Sequence, residues 1–376
     1  MKIALAHDFL TQDGGAEKVL SAFKEIYPEA PIFVLFADKE KFKNSFDPKS
    51  IRESFLAKMP FILSKYRYYL TMMPSAIEAL NFNDYDVVLS SASAFAKGII
   101  TKPEAVHVSY CHTPTRYLWS DSHEYVENLK MPGFMKRLLE LKLNKLRVWD
   151  KLAAERVDYF VANSYTVKDR ISKYYNKSSE VIYPPVETQK FYISDKVGSY
   201  YLAGGRLVPY KRFDLIVEAF NRLALPLVIY GSGPEYKNLR LKAKSNIKFV
   251  GRVGDADLAR LYSECIAYIQ PQIEDFGITA VECMASGRPV IAYAKGGSLE
   301  TVKEGVSGEF FKYQDWASLL DVILRFKPEK YDSQLIKKYA ERFSLDNFKT
   351  QISHYVNEKY QEKKDFLANQ QSKLIL

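Results

Sequence analysis

Apolar positions along the chain gather in short runs separated by polar, helix-periodic stretches, a pattern that predicts strands alternating with helices. Residues 2–9 (KIALAHDF), 31–36 (PIFVLF), 85–89 (YDVVL), 105–110 and 157–163 (VDYFVAN) read as one set of strands. Residues 200–203, 227–230, 247–251, 267–270 and 289–293 (PVIAY) read as a second set. Runs this apolar suit strands buried on both faces, and their alternation with helices implies parallel sheets covered on both sides. Helices are predicted over 16–27, 167–175 (capped by Asn163-Ser164), 213–223, 257–263, 278–285 and 316–326. An amphipathic helix is expected over 346–364, with the last dozen residues frayed. Val181-Ile-Tyr-Pro-Pro-Val186 is a strand running into a stiff Pro-Pro pair, and it marks the expected hinge between two domains.

A chain of 376 residues can bury two cores of ordinary size, and 47% apolar with 26% charged residues describes a globular protein. No apolar stretch is long enough to predict a membrane span, and Met1-Lys2 opens directly on a strand pattern, so a cytoplasmic chain is expected. Cys111, Cys265 and Cys283 are widely spaced and odd in number, which fits a reducing compartment. The net charge of +9 is compatible with nucleic acid, an anionic membrane or phosphorylated substrates, and composition does not choose.

The distribution of charge narrows this. Residues 55–80 and 130–151 mix Lys and Arg with Phe, Leu, Met, Tyr and Trp and carry few acids. Both are predicted as basic amphipathic helices able to lie on an anionic membrane surface, or else as core-packing helices with a solvated basic face. No nucleic-acid motif accompanies them, so no nucleic-acid partner is expected.

The candidate chemistry centres on residues 270–302 (QPQIEDFGITAVECMASGRPVIAYAKGGSLETV). Glu274 stands just before the predicted helix and Glu282 projects from its early turns. Between them the amides of Phe276, Gly277 and Ile278 would leave the helix N-terminus, which attracts anions. A carboxylate takes vicinal hydroxyls well, one on each oxygen, so the stretch suits a ligand carrying phosphate and sugar. Taken singly, each glutamate also reads as a solvated acid. Gly296-Gly297 forms a following turn, with Ser298 and Glu300 placed to cap another helix.

Three further segments add to this. Gly14 and Gly15 follow the first strand and would let backbone amides approach an anion, although the loop is not G-x-G-x-x-G and also reads as a plain turn. SYCHTPTRYLW (109–119) places His112 at a strand C-terminus, the edge where open α/β sheets bind ligands. Gly204-Gly-Arg206 and Lys211 precede a helix and make a phosphate clamp, Arg gripping in a fork and Lys as a mobile point charge. Asp84-Tyr-Asp86 and Asp255-Ala-Asp257 precede a strand and open a helix; both have structural uses, and no metal site is expected.

Glu-x7-Glu with its flanking glycines, HDFLTQDGGAEKVL at the start and YCHTPTRYLW together resemble the retaining, nucleotide-sugar-dependent glycosyltransferases of family 4, and the likeness can be followed over nearly the whole chain. It implies the GT-B fold, an α/β architecture of two facing Rossmann-like domains with a C-terminal helix crossing back to the first. The expected domains are 1–183 plus a return helix at about 350–376 for the acceptor, and 184–349 for the donor. Arg206 and Lys211 would hold the donor diphosphate, Glu274 and the amides of Phe276–Ile278 the hexose, and Glu282 the ribose. Arg252 and Val253 would meet the nucleobase. Gly14 and Gly15 would face the diphosphate, His112 would lie near the transferred sugar, and Arg116 and Tyr117 would line the acceptor side. The most similar members use GDP-mannose to extend lipid-linked surface glycans, so the resemblance implies a mannosyltransferase without metal or other cofactor, with a glycan or polyprenyl-diphosphate-linked glycan as acceptor. Contact with the cytoplasmic face of an inner membrane is consistent with this. A UDP-hexose donor, a sugar-nucleotide epimerase and a non-catalytic nucleotide-sugar-binding subunit are the alternatives.

Overall fold

A computed structural model describes residues 1–12, 14–127, 129 and 131–374, with side chains to Gln370. Asp13 of the glycine-rich loop, Lys130 of the second basic stretch and the last two residues of the predicted frayed tail lie outside the described residues. The chain forms two compact units, Met1–Tyr183 with Phe348–Leu376, and Pro184–Asn347.

In the first unit the strands are β1 (Ile3–His7), β2 (Ile32–Val34), β3 (Ile51–Glu53), β4 (Val87–Ala92), β5 (Val106–Cys111), β6 (Tyr159–Ala162) and β7 (Ser179–Val181). They form one parallel sheet in the order β3-β2-β1-β4-β5-β6-β7. All six residues of β4 and of β5 are buried, which is why these segments are so continuously apolar. The order reverses between β1 and β4, so the C-terminal ends of those strands border the crevice where such sheets bind ligands. The helix Leu345–Leu374 contributes a buried stripe of Phe348, Ile352 and Val356 at helical spacing. Phe348 packs on Phe23 and Tyr110 at ring separations of 5.9 and 5.7 Å, and Lys349 pairs with Glu25. This helix runs to Leu374, where the sequence predicts fraying.

The two basic stretches differ from each other. Residues 55–80 are not one helix but a chain of short turns: 3-10 segments at Phe55–Lys58 and Tyr66–Met72, and helical turns at Ile62–Lys65 and Met73–Glu78. Pro60 and Pro74 interrupt the run, and Phe61 sits in the left-handed region at φ 53°. The second stretch does form a helix, Gly133–Glu155, of 23 residues. One face buries Leu143, Leu146, Asp150 and Ala153. The opposite face exposes Phe134, Leu138, Leu141, Val148 and Leu152, a stripe at i, i+4, i+7, i+14 and i+18. Among the described residues no helix is long and apolar enough to cross a membrane.

The second unit holds β8 (Tyr201–Arg206), β9 (Leu227–Ser232), β10 (Ile247–Gly251), β11 (Tyr268–Gln270), β12 (Val290–Tyr293) and β13 (Gly308–Phe311), all parallel in the order β10-β9-β8-β11-β12-β13. The order reverses between β8 and β11, which puts the loops after these two strands side by side. The helix Phe213–Leu223 covers the sheet with Phe213, Ile216, Val217 and Phe220, and its end is turned by Ala224 in the left-handed region.

Candidate active site

The loops at the β8/β11 reversal bring Lys211 and Glu274 together. β8 ends in Gly204-Gly205-Arg206, and a 3-10 turn, Pro209–Lys211, brings the chain back so that Lys211 Nζ lies 2.9 Å from Glu274 Oε1. Gln272 donates to the same oxygen at 3.1 Å. Glu274 is held from behind by the glycine turn that follows β12. Gly297 N donates to Glu274 O at 2.8 Å, and side chains at Gly296 or Gly297 would strike the carbonyls of Glu274 or Asp275 at 2.6 and 2.4 Å. The paired glycines are therefore required for close backbone approach.

The helix Ile278–Ala285 starts at Gly277, whose φ of 95° only glycine adopts readily. A Cβ there would come 2.7 Å from Gln270 Nε2, which itself donates to Ser298 Oγ at 2.9 Å. Ser298 and Glu300, predicted as caps, lie inside the helix Ser298–Thr301, whose N-cap is Gly297. The Phe276 ring is buried against Phe343 at 5.3 Å, so what this residue can offer a ligand is backbone.

Glu282 is not a solvated helix residue. It is 7% exposed and accepts from Tyr262 Oη at 3.2 Å, and Tyr262 in turn lies 2.6 Å from Tyr230 Oη. Burial pushes both phenols well above their ordinary pKa, keeping them neutral. Arg206 stands at the surface with its guanidinium 3.3 Å from Tyr210 Oη, apart from the Lys211–Glu274 pair. Arg252 bridges to Ser232 Oγ at 2.7 Å across the ends of β9 and β10, beside half-buried Val253. Arg206, Lys211 and Arg252 supply positive charge suited to phosphate, and Glu274 and Glu282 are acceptors suited to hydroxyls.

In the first unit His112 follows β5. Its main chain is fixed on both sides, the amide donating to Ala92 O and the carbonyl accepting from Asn163 Nδ2, each at 2.9 Å. Ser164, not Asn163, caps the next helix by accepting from Val167 N. Burial, with His7 nearby, lowers the His112 pKa to about 3. Gly15 opens the helix Gly15–Ile26 and Gly14 is its N-cap. Arg116 faces Asp121 at 3.9 Å, and the Tyr117 ring packs on Tyr125 at 5.5 Å.

Sequence reasoning missed the residues that hold this loop and the one after β4. Asp8 accepts four amides, from Ser93 to Ala96, at 2.7–2.9 Å. Asp150, 1% exposed, accepts from Lys97, Thr115, Trp119 and Tyr175 at 2.6–2.9 Å. Of the Asp-x-Asp acids, Asp86 accepts from Lys2 N, and Asp255 and Asp257 lie in the first turn of Asp255–Glu264.

Residues 30–190 match the family described as Glycosyltransferase Family 4, and residues 188–343 the family described as Glycosyl transferases group 1. The O-antigen chain mannosyltransferase RfbU of Salmonella typhimurium is 27% identical over 228 residues, covering 55% of this chain and 62% of its own. The O-antigen chain mannosyltransferase C of Escherichia coli is 26% identical over 250 residues, covering 61% of this chain and 65% of its own. The chain thus spans somewhat under two thirds of the length of these relatives. The crystal structure of HepE of Anabaena in complex with UDP superposes with a TM-score of 0.71 over 95% of this chain and 100% of that one, at 18% identity, a likeness of fold.

Proposed function

The chain belongs to the GT-B glycosyltransferases of the family 4 type, and on that premise we propose that it transfers mannose from GDP-mannose to a glycan or polyprenyl-diphosphate-linked glycan of the cell surface. The observation that carries the reading is the Lys211–Glu274 pair at the sheet reversal of the second unit. In this proposal Lys211 and Arg206 hold the donor diphosphate and offset the charge that develops as it leaves, electrostatic stabilisation that asks for no metal. Glu274 and the amides of Phe276, Gly277 and Ile278 orient the hexose. Glu282 takes the ribose hydroxyls, its carboxylate preset by Tyr262, and Arg252 with Val253 meets the base. Departure of the diphosphate on the face that the acceptor attacks gives retention of configuration without a protein nucleophile.

The first unit takes the acceptor, with Arg116 and Tyr117 on that side, Gly14 and Gly15 offering amides to phosphate, and His112 contacting a sugar. Mannose is favoured because the two O-antigen relatives that match in sequence are mannosyltransferases. The exposed apolar stripe of helix Gly133–Glu155, with Lys136, Arg137, Lys142 and Lys145 on the same helix, suits a peripheral seat on an anionic membrane, where a lipid-linked acceptor resides.

The test is thermal unfolding with GDP-mannose, UDP-glucose, UDP-galactose and UDP-N-acetylglucosamine, with and without EDTA. A ligand at 100 times its Kd adds about 2.7 kcal/mol to the folded state. Stabilisation by GDP-mannose alone, unchanged by EDTA, is expected. Stabilisation by a UDP-sugar would keep the mechanism and replace the donor, and silence across the panel would overturn the reading. Transfer lost in Glu274→Ala with donor binding retained separates a transferase from a binding subunit.

A further inference from the structure

We propose that Ser91 is a positioning residue that fixes His112 as the neutral imidazole carrying its proton on Nδ1, so that His112 acts on a sugar as a hydrogen-bond donor. The inference rests on the reading of His112 as a sugar-contacting residue given above.

Strand order makes the arrangement. β1, β4 and β5 are neighbours; His7 is in register with Ser91, and Ala92 with Cys111, so the ends of three strands bring His7, Ser91 and His112 into one row. His7 Nδ1 lies 3.1 Å from Ser91 O and 3.2 Å from Ser91 Oγ. A carbonyl can only accept, so Nδ1 of His7 bears a hydrogen and spends it on Ser91. On its other side the His7 ring is flanked by Glu17, with Oε1 at 3.9 Å from Nε2.

The Ser91 hydroxyl has one hydrogen to give. Two acceptors are within reach: His112 Nε2 at 2.8 Å, and Ala16 O at 3.5 Å. The first distance is that of a good hydrogen bond and the second is at the outer limit. Because Nδ1 of His7 carries a hydrogen, it cannot accept one from Oγ, and the hydroxyl hydrogen goes to the nearer acceptor, His112 Nε2. That nitrogen is then an acceptor, and the ring's own proton is on Nδ1.

Two observations bear on what that proton can do. Nδ1 of His112 meets no partner among the described residues, so it is available to a ligand. Burial with His7 alongside keeps the ring uncharged near neutral pH. Such a group can donate from Nδ1 to a hydroxyl or a developing negative charge, but it cannot take a proton there. His112 is therefore not a general base toward the acceptor, and His7 and Ser91, which touch no substrate in this reading, act through it.

The experiment uses the full chain labelled with nitrogen-15 in histidine. The protein has five histidines, so His112 is assigned by comparison with H112Q. The expected spectrum shows His112 protonated on Nδ1 and not on Nε2, with no titration across neutral pH. In S91A the tautomer shifts toward Nε2–H, kcat falls roughly tenfold, the size of one hydrogen bond, and KM for the donor changes little. H112N, whose amide nitrogen stands nearer the place of Nδ1, is expected to keep more activity than H112Q.

A wild-type spectrum with the proton on Nε2 would overturn the proposal, and it needs no variant to fold. An S91A protein with unchanged tautomer and unchanged kcat would do the same while leaving the glycosyltransferase reading in place. A chain that transfers no sugar but shows the Nδ1–H tautomer and its dependence on Ser91 would support the positioning and remove the assigned reaction.

Discussion

Lys211 and Glu274 come from loops after neighbouring strands β8 and β11 and meet with 2.9 Å between Nζ and Oε1, both side chains less than one quarter exposed. Each partner thereby holds the other's side chain in place. Removing either partner is expected to lower the transfer rate by about 10²–10³. Glu274→Gln combined with Lys211→Met should lose little more than either alone, because the two act as a unit. The pair is partly hydrated, so thermal unfolding should move by no more than the equivalent of about 1 kcal/mol.

Glu282 is a buried carboxylate whose partner is a tyrosine. Glu282→Ala is expected to weaken binding of a nucleoside diphosphate by roughly tenfold to a hundredfold, the worth of a hydrogen bond to a charged group. Tyr262→Phe keeps the ring against Tyr268 and Phe191 and removes only the hydroxyl, and its effect should be smaller. Titration calorimetry with GDP orders the two variants.

His107 and His112 are both held neutral, with pKa values lowered to about 3 by burial, helped by Arg156 and His7 respectively. The unfolded chain binds these protons near pH 6.5, so acidification favours unfolding; stability is full above that pH and is lost as pH falls toward 3. Each histidine contributes about 1.4 kcal/mol per pH unit in that window. Chemical denaturation between pH 7 and 5 should reveal a loss of about 4 kcal/mol from the pair, and His107→Gln should halve the slope.

Much of the fold was legible because its strands are buried on both faces and read as continuous apolar runs. β3 escaped because Arg52 and Glu53 fill two of its three positions at a sheet edge. The broken course of 55–80 escaped because its composition is helical while Pro60, Phe61 and Pro74 set its backbone. At the site, spacing singled out Glu274, Glu282, Arg206 and Lys211, but not that Lys211 meets Glu274 while Arg206 stays at the surface. Gln270, Ser91, Asp8 and Asp150 looked like ordinary polar residues. Their partners lie far along the chain, 85 to 88 residues away for Asp8, and no local pattern encodes that.

Asp150 joins helix Gly133–Glu155 to the loop after His112 through Thr115 and Trp119, and to the buried Lys97. Asp150→Ala strands a buried ammonium and should cost about 3–5 kcal/mol in denaturant unfolding. Replacing both charges, Lys97→Met with Asp150→Leu, should recover only part of that loss, because no uncompensated charge remains but Thr115, Trp119 and Tyr175 lose their acceptor.

The exposed stripe on the same helix makes a separate prediction. Leu138→Glu with Leu141→Glu should abolish cosedimentation with vesicles containing anionic lipid. Lys142→Glu should weaken it several-fold, at about 1 kcal/mol for each basic residue near the surface. Neither should alter binding of the nucleotide sugar. Wild-type protein that ignores such vesicles would remove the membrane from the proposal.

The first unit is discontinuous: its described strands lie within residues 1–183, but Phe348, which covers Phe23 and Tyr110, comes from beyond the whole second unit. On the ribosome, the earlier-made sheet must therefore wait with that apolar patch uncovered while residues 184–347 are synthesised. The later-made unit, contiguous in sequence, can complete its core first. Order of synthesis and order of completion are reversed in this chain, and a chaperone that shields apolar surface would find its target in the first-made half.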